Sequence, residues 1–359
     1  MPQNEFHLVV ILSGHGFGHV GMTAPVISAL RQRYPHLRLT IKSSAPEWFL
    51  RRCFTSPFTL DAQPSDFGML MRDAFAVDAD RSYQAYRDFH RHWNRQVDEE
   101  RDRLKAMNAD LVLSNIAYRP LLAAHRAGIP AIAFCCLNWA EVFWHYFGDR
   151  RDAAVIHRQI LEAYASANLF LRPEPAMPMA GLDTHTIGPI ARLGVNRHQV
   201  LVDRLNLPDT TQFVLASLGG IPTLLRCQQW PALDDVHYLV PEHVRFDRPD
   251  MSALATTGIS FPDALRASAA LITKPGYGSF TEAACNATPV LFAQRDWPEQ
   301  PYLVDWLRQR LPCHDITPER LADGRFTPPL ETLLASPRPR AVTPHGIDAA
   351  IAHLSQFIA

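Results

Sequence analysis

Two glycine-rich stretches hold the residues whose types and spacing could do chemistry. The first is Ser13-Gly14-His15-Gly16-Phe17-Gly18-His19-Val20-Gly21. Glycines let a backbone turn sharply and pass close to a ligand. An imidazole can accept a proton near neutral pH, so His15 and His19 are candidate general bases. Each could instead cap the helix or bond a loop carbonyl; His19, beside the expected helix start, is the preferred base. Residues 16–21 also satisfy Gly-x-Gly-x-x-Gly, the spacing of a dinucleotide loop. That reading asks for an acid at the end of the second strand, to hold a ribose. The chain has Thr40-Ile41-Lys42-Ser43-Ser44 there. Lys42 would suit a phosphorylated ribose, which keeps an NADP oxidoreductase as an alternative.

The second stretch is Leu271-Ile272-Thr273-Lys274-Pro275-Gly276-Tyr277-Gly278-Ser279-Phe280-Thr281-Glu282. Again a strand feeds a glycine turn and a helix. Amides at a helix start, with the positive end of the dipole, suit a diphosphate. Lys274 would add charge, unless it is an ordinary surface lysine. Ser279 and Glu282 also match the capping box Ser-x-x-Glu. Glu282 therefore either closes its own helix end or accepts hydrogen bonds from ribose hydroxyls; spacing leaves both open.

Both loops need strands to hold them, and the hydrophobic pattern supplies these. Phe6–Leu12, Leu37–Lys42, Ala109–Ser114 and Ala131–Cys135 are strand-like runs separated by helical stretches over 24–33, 81–107 and 121–127. The pattern restarts with Gln212–Ser217, which ends in Gly219-Gly220, then Val236–Val240, Ala269–Thr273 and Pro289–Ala293. A helix is expected from about Phe280 to Asn286, and a last one over about Ile347–Phe357. Strands alternating with helices imply parallel sheets covered on both faces. The 359 residues exceed one ordinary core. Gly188-Pro189 breaks both periods. The expected division is 1–188, 189–345 and a terminal helix at 346–359. The prolines around Pro328-Pro329 and Pro337 to Pro344 suggest a surface loop.

Composition narrows the function classes. Net charge is −1, so nothing global points to nucleic acid. Cys53, Cys135, Cys136, Cys227, Cys285 and Cys313 form no Cys-x-x-Cys pair, and a zinc site is not expected. No run of eighteen apolar residues suggests a membrane span. The start shows no basic leader, so a cytoplasmic location is expected by default, with peripheral contact to the inner membrane left open. The run Asn138–Phe147 is unusually aromatic. With Phe17 and Trp48, its residues Trp139, Phe143, Trp144 and Tyr146 either line an acceptor pocket, touch a membrane or pack as a buried helix.

Over about 258–302 the chain resembles the donor half of GT-B glycosyltransferases. The carrying residues are Ser260-Phe261-Pro262-Asp263-Ala264-Leu265, Ala269–Thr273, Gly276-x-Gly278-Ser279-x-x-Glu282-Ala283 and Thr288-Pro289-Val290-Leu291. It is similar to the peptidoglycan N-acetylglucosaminyltransferase and the UDP-glycosyltransferases. The first loop also resembles the amino-terminal part of L-arabinokinases. The resemblance implies two Rossmann-like doubly wound domains facing across a cleft. It implies a metal-independent, inverting transfer from a nucleoside-diphosphate sugar, with UDP-sugar favoured. No further cofactor is implied, and the acceptor, whether glycan, lipid or small molecule, is unnamed. A nucleotide-sugar hydrolase or epimerase on the same fold is the alternative.

By that resemblance His19 is the base, and Gly18, Gly219, Lys274, Gly276, Tyr277, Gly278 and Ser279 surround the donor. Glu282 would hold the ribose, the backbone near Ile259 and Phe261 the base, and Glu299 and Gln300 the sugar. The chain departs from the pattern at Asn115, where many such enzymes carry an aspartate that orients the histidine. Asp110 or Glu141 would have to substitute. Asp78-Ala79-Asp80 lies outside any donor loop, so no metal is implied.

Overall fold

The structure, a computed structural model, describes residues 5–220 and 225–358. It divides into two compact units. The first comprises the chain up to Met71, Val77–Ile190 and the stretch from His345; the second comprises Arg72–Ala76 and Ala191–Pro344.

The first unit is built on β1 (His7–Leu12), β2 (Arg38–Lys42), β3 (Thr59–Asp61), β4 (Leu111–Asn115), β5 (Ala131–Phe134), β6 (Leu169–Pro173) and β7 (His185–Ile187). Their order is β3-β2-β1-β4-β5-β6-β7, parallel throughout. All six residues of β1 are buried, as expected for a strand covered on both faces. Chain order reverses between β1 and β4, which opens a crevice at their carboxyl ends. The final helix, Gly346–Leu354, packs on the helix Gly18–Arg33 and on β7, and Gly346 N donates to Pro189 O at 3.1 Å.

The second unit contains β8 (Gln212–Ser217), β9 (Val236–Val240), β10 (Met251–Ala253), β11 (Ala270–Thr273), β12 (Val290–Ala293) and β13 (Cys313–Ile316). Their order is β10-β9-β8-β11-β12-β13, again all parallel. The period of two divides the core cleanly. Val214, Tyr238, Ile272 and Leu291 join the apolar cluster on one face, and Phe213, Leu239, Leu271 and Phe292 the cluster on the other. The reversal here falls between β8 and β11.

Several elements differ from the sequence expectation, each for a local reason. The helical stretch 81–107 is two helices, Ala79–Arg91 and Trp93–Ala106, broken at His92 with φ −121° and ψ 40°. Gln96 Nε2 donates to the Phe89 carbonyl at 2.8 Å across that break. Pro328 and Pro329 do not form a loop; they occupy the first turn of the helix Thr327–Leu334, where a missing N–H costs nothing. Of the five unanticipated strands, β3, β7, β10 and β13 lie at sheet edges and are partly exposed, so their sequences lack a long apolar run; the fifth, β6, lies one strand in from the edge. Lys42 is buried and ion-paired to Glu100 at 2.7 Å, so it is committed to the fold and not presented to a phosphate. That removes the support for the NADP reading. Among the described residues, no helix is long and apolar enough to cross a membrane.

Candidate active site

Each glycine loop lies at the reversal point of its own sheet. In the first unit the loop leaves β1 and enters the helix Gly18–Arg33, whose first residue is Gly18. Gly16 has φ +75°, a left-handed conformation that side chains disfavour. His19 follows in the first turn and is 8 % exposed. Its Nδ1 meets Asn115 Oδ1 at 2.9 Å, and Asn115 closes β4, next to β1. Asn115 Nδ2 donates to Thr23 Oγ1 at 2.8 Å. Cys135 stands one residue beyond β5, close enough to act on the imidazole. Asp66 lies close enough for its charge to act on the ring, and it accepts a 2.8 Å bond from Trp139 Nε1.

Burial of His19 works against its charged form. Cys135, then Asn115 and Asp66, outweigh it and raise the imidazole pKa. Burial pushes the Asp66 carboxyl up, against hydrogen bonds from Trp139 and Ser13 and the charges of His19 and Arg119. Neither acid proposed from sequence reaches this group. Asp110 instead accepts from His7 N at 2.7 Å, and Glu141 sits in the first turn of Trp139–Phe147, where its N–H is capped by Asn138. Sequence reasoning missed Asp66 and Cys135. Asp66 stands in an irregular segment, and Cys135 reads as a small core residue.

The aromatic run forms the helix Trp139–Phe147 with its faces divided. Trp139, Phe143 and Phe147 are buried, whereas Trp144 is 43 % exposed. The buried reading therefore holds for Trp139 and Phe143. Phe17 stacks on Phe49 at 3.9 Å between centroids, with the exposed Trp48 edge-on to both.

In the second unit, Gly219 follows β8 and Lys274 follows β11, on adjacent strands. Thr273 Oγ1 ties the two strand ends by donating to Ser217 O at 2.7 Å. Gly219 has φ +78°, and a Cβ placed there would lie 3.7 Å from Lys274 Cε. The helix Tyr277–Asn286 starts on Gly276, which provides no side-chain cap. Its first bond runs from Phe280 N to Gly276 O at 3.1 Å, so the Gly278 and Ser279 amides precede the intrahelical ladder. Nothing lies within 4 Å of where a Gly278 Cβ would be. Burial, then Arg295, lower the Lys274 pKa to about 7, against the charges of Glu299 and Asp73.

The capping-box explanation of Ser279 and Glu282 fails, because the N-cap is Gly276, three residues before Ser279, which lies inside the helix. Glu282 lies inside the helix and ion-pairs with Arg192 Nε at 2.7 Å. Glu299 is buried and precedes the helix Gln300–Arg308. Gln300 Oε1 accepts from Arg295 N at 2.8 Å, which ties that side chain to its own loop. The Ile259 side chain is core, and its N–H donates to Thr257 Oγ1 at 3.2 Å; Phe261 opens the next helix against the same core. The structure thus joins Gly219, Lys274, Gly276 and Glu299 around one strand edge. The Ile259 N–H and the Gln300 Oε1 are each engaged within their own loop. Among the described residues, no three His, Cys, Asp or Glu side chains cluster as a metal site would require.

Two parallel α/β sheets of seven and six strands, each with a glycine loop at its reversal point, define the GT-B fold. A UGT transferase from Siraitia grosvenorii, solved with UDP, is similar with a TM-score of 0.56 at 11 % identity, covering 99 % of this chain and 100 % of that one. A putative UDP-N-acetylglucosamine 2-epimerase from Listeria monocytogenes gives 0.54 at 13 % identity, covering 99 % and 98 %. In sequence the chain is 25 % identical over 346 residues to L-arabinokinase of Arabidopsis thaliana. That match covers 90 % of this chain, which spans about a third (32 %) of the relative. No protein-family model matches.

Proposed function

We propose that this protein is a glycosyltransferase that takes a sugar from a nucleoside-diphosphate donor, with UDP-sugar the favoured class, and inverts the anomeric centre. The observation that carries the reading is the second-unit loop. A helix N-terminus without a side-chain cap stands beside Lys274, whose ammonium form is disfavoured by burial and by Arg295. A diphosphate would satisfy the amides and restore the lysine charge. In the reaction, Gly278 and Ser279 amides and Lys274 stabilise the charge that develops on the leaving diphosphate. Glu282, fixed by its ion pair with Arg192, receives ribose hydroxyls. Glu299 stands near Lys274 and positions the sugar. His19 takes the acceptor proton. On this reading residues 1–188 bind the acceptor, 189–345 the donor, and 346–359 close the first domain.

Donor and class are tested together by thermal shift against UDP-, GDP-, dTDP- and CDP-sugars, because a ligand bound only by the folded state raises apparent stability. A shift with one nucleotide series, absent in Lys274→Ala, is expected; no shift with any of them sinks the reading. The similarity to a 2-epimerase favours one second reading, isomerisation or hydrolysis of the donor. Rapid consumption of nucleotide sugar without any acceptor would select it. The L-arabinokinase likeness agrees with a sugar-directed role. Its phosphoryl transfer is not carried over, since this chain spans about a third of that protein.

A further inference from the structure

The loop that carries Glu299 also carries a cation that the donor site as described leaves unassigned. β11 and β12 are parallel neighbours, with Thr273 opposite Phe292. Lys274 and the loop 294–299 therefore leave the sheet side by side, from strands about 4.8 Å apart. Arg295 stands two residues past the end of β12. Two contacts fix it. Its backbone N–H donates to Gln300 Oε1 at 2.8 Å. Its guanidinium lies 4.8 Å from the centroid of Trp297, a ring only 4 % exposed. A guanidinium laid on a buried indole keeps its charge and its planar fork, and it has less freedom left to lose when a ligand arrives. The helix Tyr277–Asn286, without a side-chain cap, brings its positive end to the same strand edge. Arg295 opposes the charged form of Lys274, second only to burial, while Glu299 and Asp73 favour it. Cations gathered at adjacent strand ends repel, and a bound anion relieves that repulsion.

We infer that Arg295 is a diphosphate-binding residue: its guanidinium, preset by Trp297, holds the anion from the β12 side while Lys274 and the Gly278 and Ser279 amides hold it from the β11 side. This rests on the nucleoside-diphosphate reading and adds a residue to it. The planar fork matches a pair of phosphate oxygens, which a lysine cannot do. The two cations have different tasks. Arginine stays charged throughout the working pH range, so Arg295 attracts the anion whether or not Lys274 holds its proton. Through repulsion it also sets how much of the Lys274 proton must be taken up on binding. Sequence reasoning selected Glu299 and Gln300 from this loop and passed over Arg295, because its stacking partner and its neighbour on β11 are tertiary facts.

Titration calorimetry of the whole protein with UDP and with inorganic pyrophosphate tests this, above the Lys274 pKa of about 7 and in two buffers of different ionisation heat. Arg295→Met should weaken both ligands by about ten- to a hundredfold, the worth of a hydrogen bond to a charged group. It should also reduce the proton uptake, because Lys274 without its like-charged neighbour is already more protonated before binding. Arg295→Gln gives the same neutral test should the methionine variant fail to fold. Arg295→Lys keeps the charge and loses the fork, so the uptake should stay and part of the affinity return. A weaker affinity with unmoved uptake in the neutral variants makes Arg295 a prop for its loop and overturns the assignment. A loss confined to UDP-glucuronate, with UDP and pyrophosphate unaffected, overturns it as well and moves Arg295 to the sugar. Unchanged binding of both ligands in the neutral variants removes Arg295 from the site and leaves the donor reading standing. A wild type that binds neither ligand overturns both.

Discussion

The two glycine loops share a backbone plan and differ in everything placed around it. Each follows a central parallel strand, turns through a left-handed glycine or beside one, and starts a helix without a side-chain cap. In the first unit the space at the strand ends is filled by a buried imidazole, an amide, a thiol and a carboxyl. In the second it is lined by glycine and by a half-buried lysine whose proton is weakly held. The first set is suited to moving protons and the second to receiving an anion. A strand–glycine–helix motif therefore supplies geometry only; neighbouring strand ends choose the chemistry.

The contrast is broken most sharply at His19. His19→Ala should reduce kcat by about 10²–10⁴-fold, the usual worth of a general base, while donor affinity stays as it was. Intact turnover would place proton chemistry elsewhere. Next comes Lys274→Met, which should weaken diphosphate binding by about 1.5–3 kcal/mol, the range for a hydrogen bond to a charged group. The same lysine makes binding pH-dependent. An anion raises its pKa from about 7, so binding takes up protons and affinity falls as pH rises past that value. Calorimetry in two buffers of different ionisation heat reads the uptake, which should vanish in Lys274→Met. In the free protein the sign reverses. The folded state binds fewer protons than the unfolded between about 7 and 10.5, so stability rises with pH across that window.

Gly278→Ala separates the two reasons for a glycine. Space is open there, so alanine should raise stability by up to about 1 kcal/mol through helix propensity. If a phosphate approaches the backbone, donor affinity should drop in the same variant; stability and affinity rising together would deny the close approach. The smallest effect is expected from Glu282→Gln, which retains shape beside Arg192. Nucleoside diphosphates should lose about 1 kcal/mol of binding, a typical hydrogen-bond contribution, while inorganic pyrophosphate should lose none. Equal losses would make Glu282 a support for its helix and not a ribose ligand.

Much of this molecule was legible in order along the chain. The apolar runs of β1, β4, β8 and β11 and the glycines after them follow from period and turn chemistry, which are local properties. The polar edge strands were not, because β13 reads Cys-His-Asp-Ile and owes its state to pairing with β12. A capping box at Ser279 and Glu282 was a fair local reading, yet the helix starts at Tyr277 and Glu282 turns to Arg192, 90 residues away. By itself, then, the sequence determined where the two glycine loops lie and that His19 and Lys274 belong to them. Only the tertiary structure decided what each meets. Asn115 lies 96 positions from His19 and Cys135 farther still, and sheet order, which no local pattern encodes, brings their strand ends together and sets both their protons and their charge.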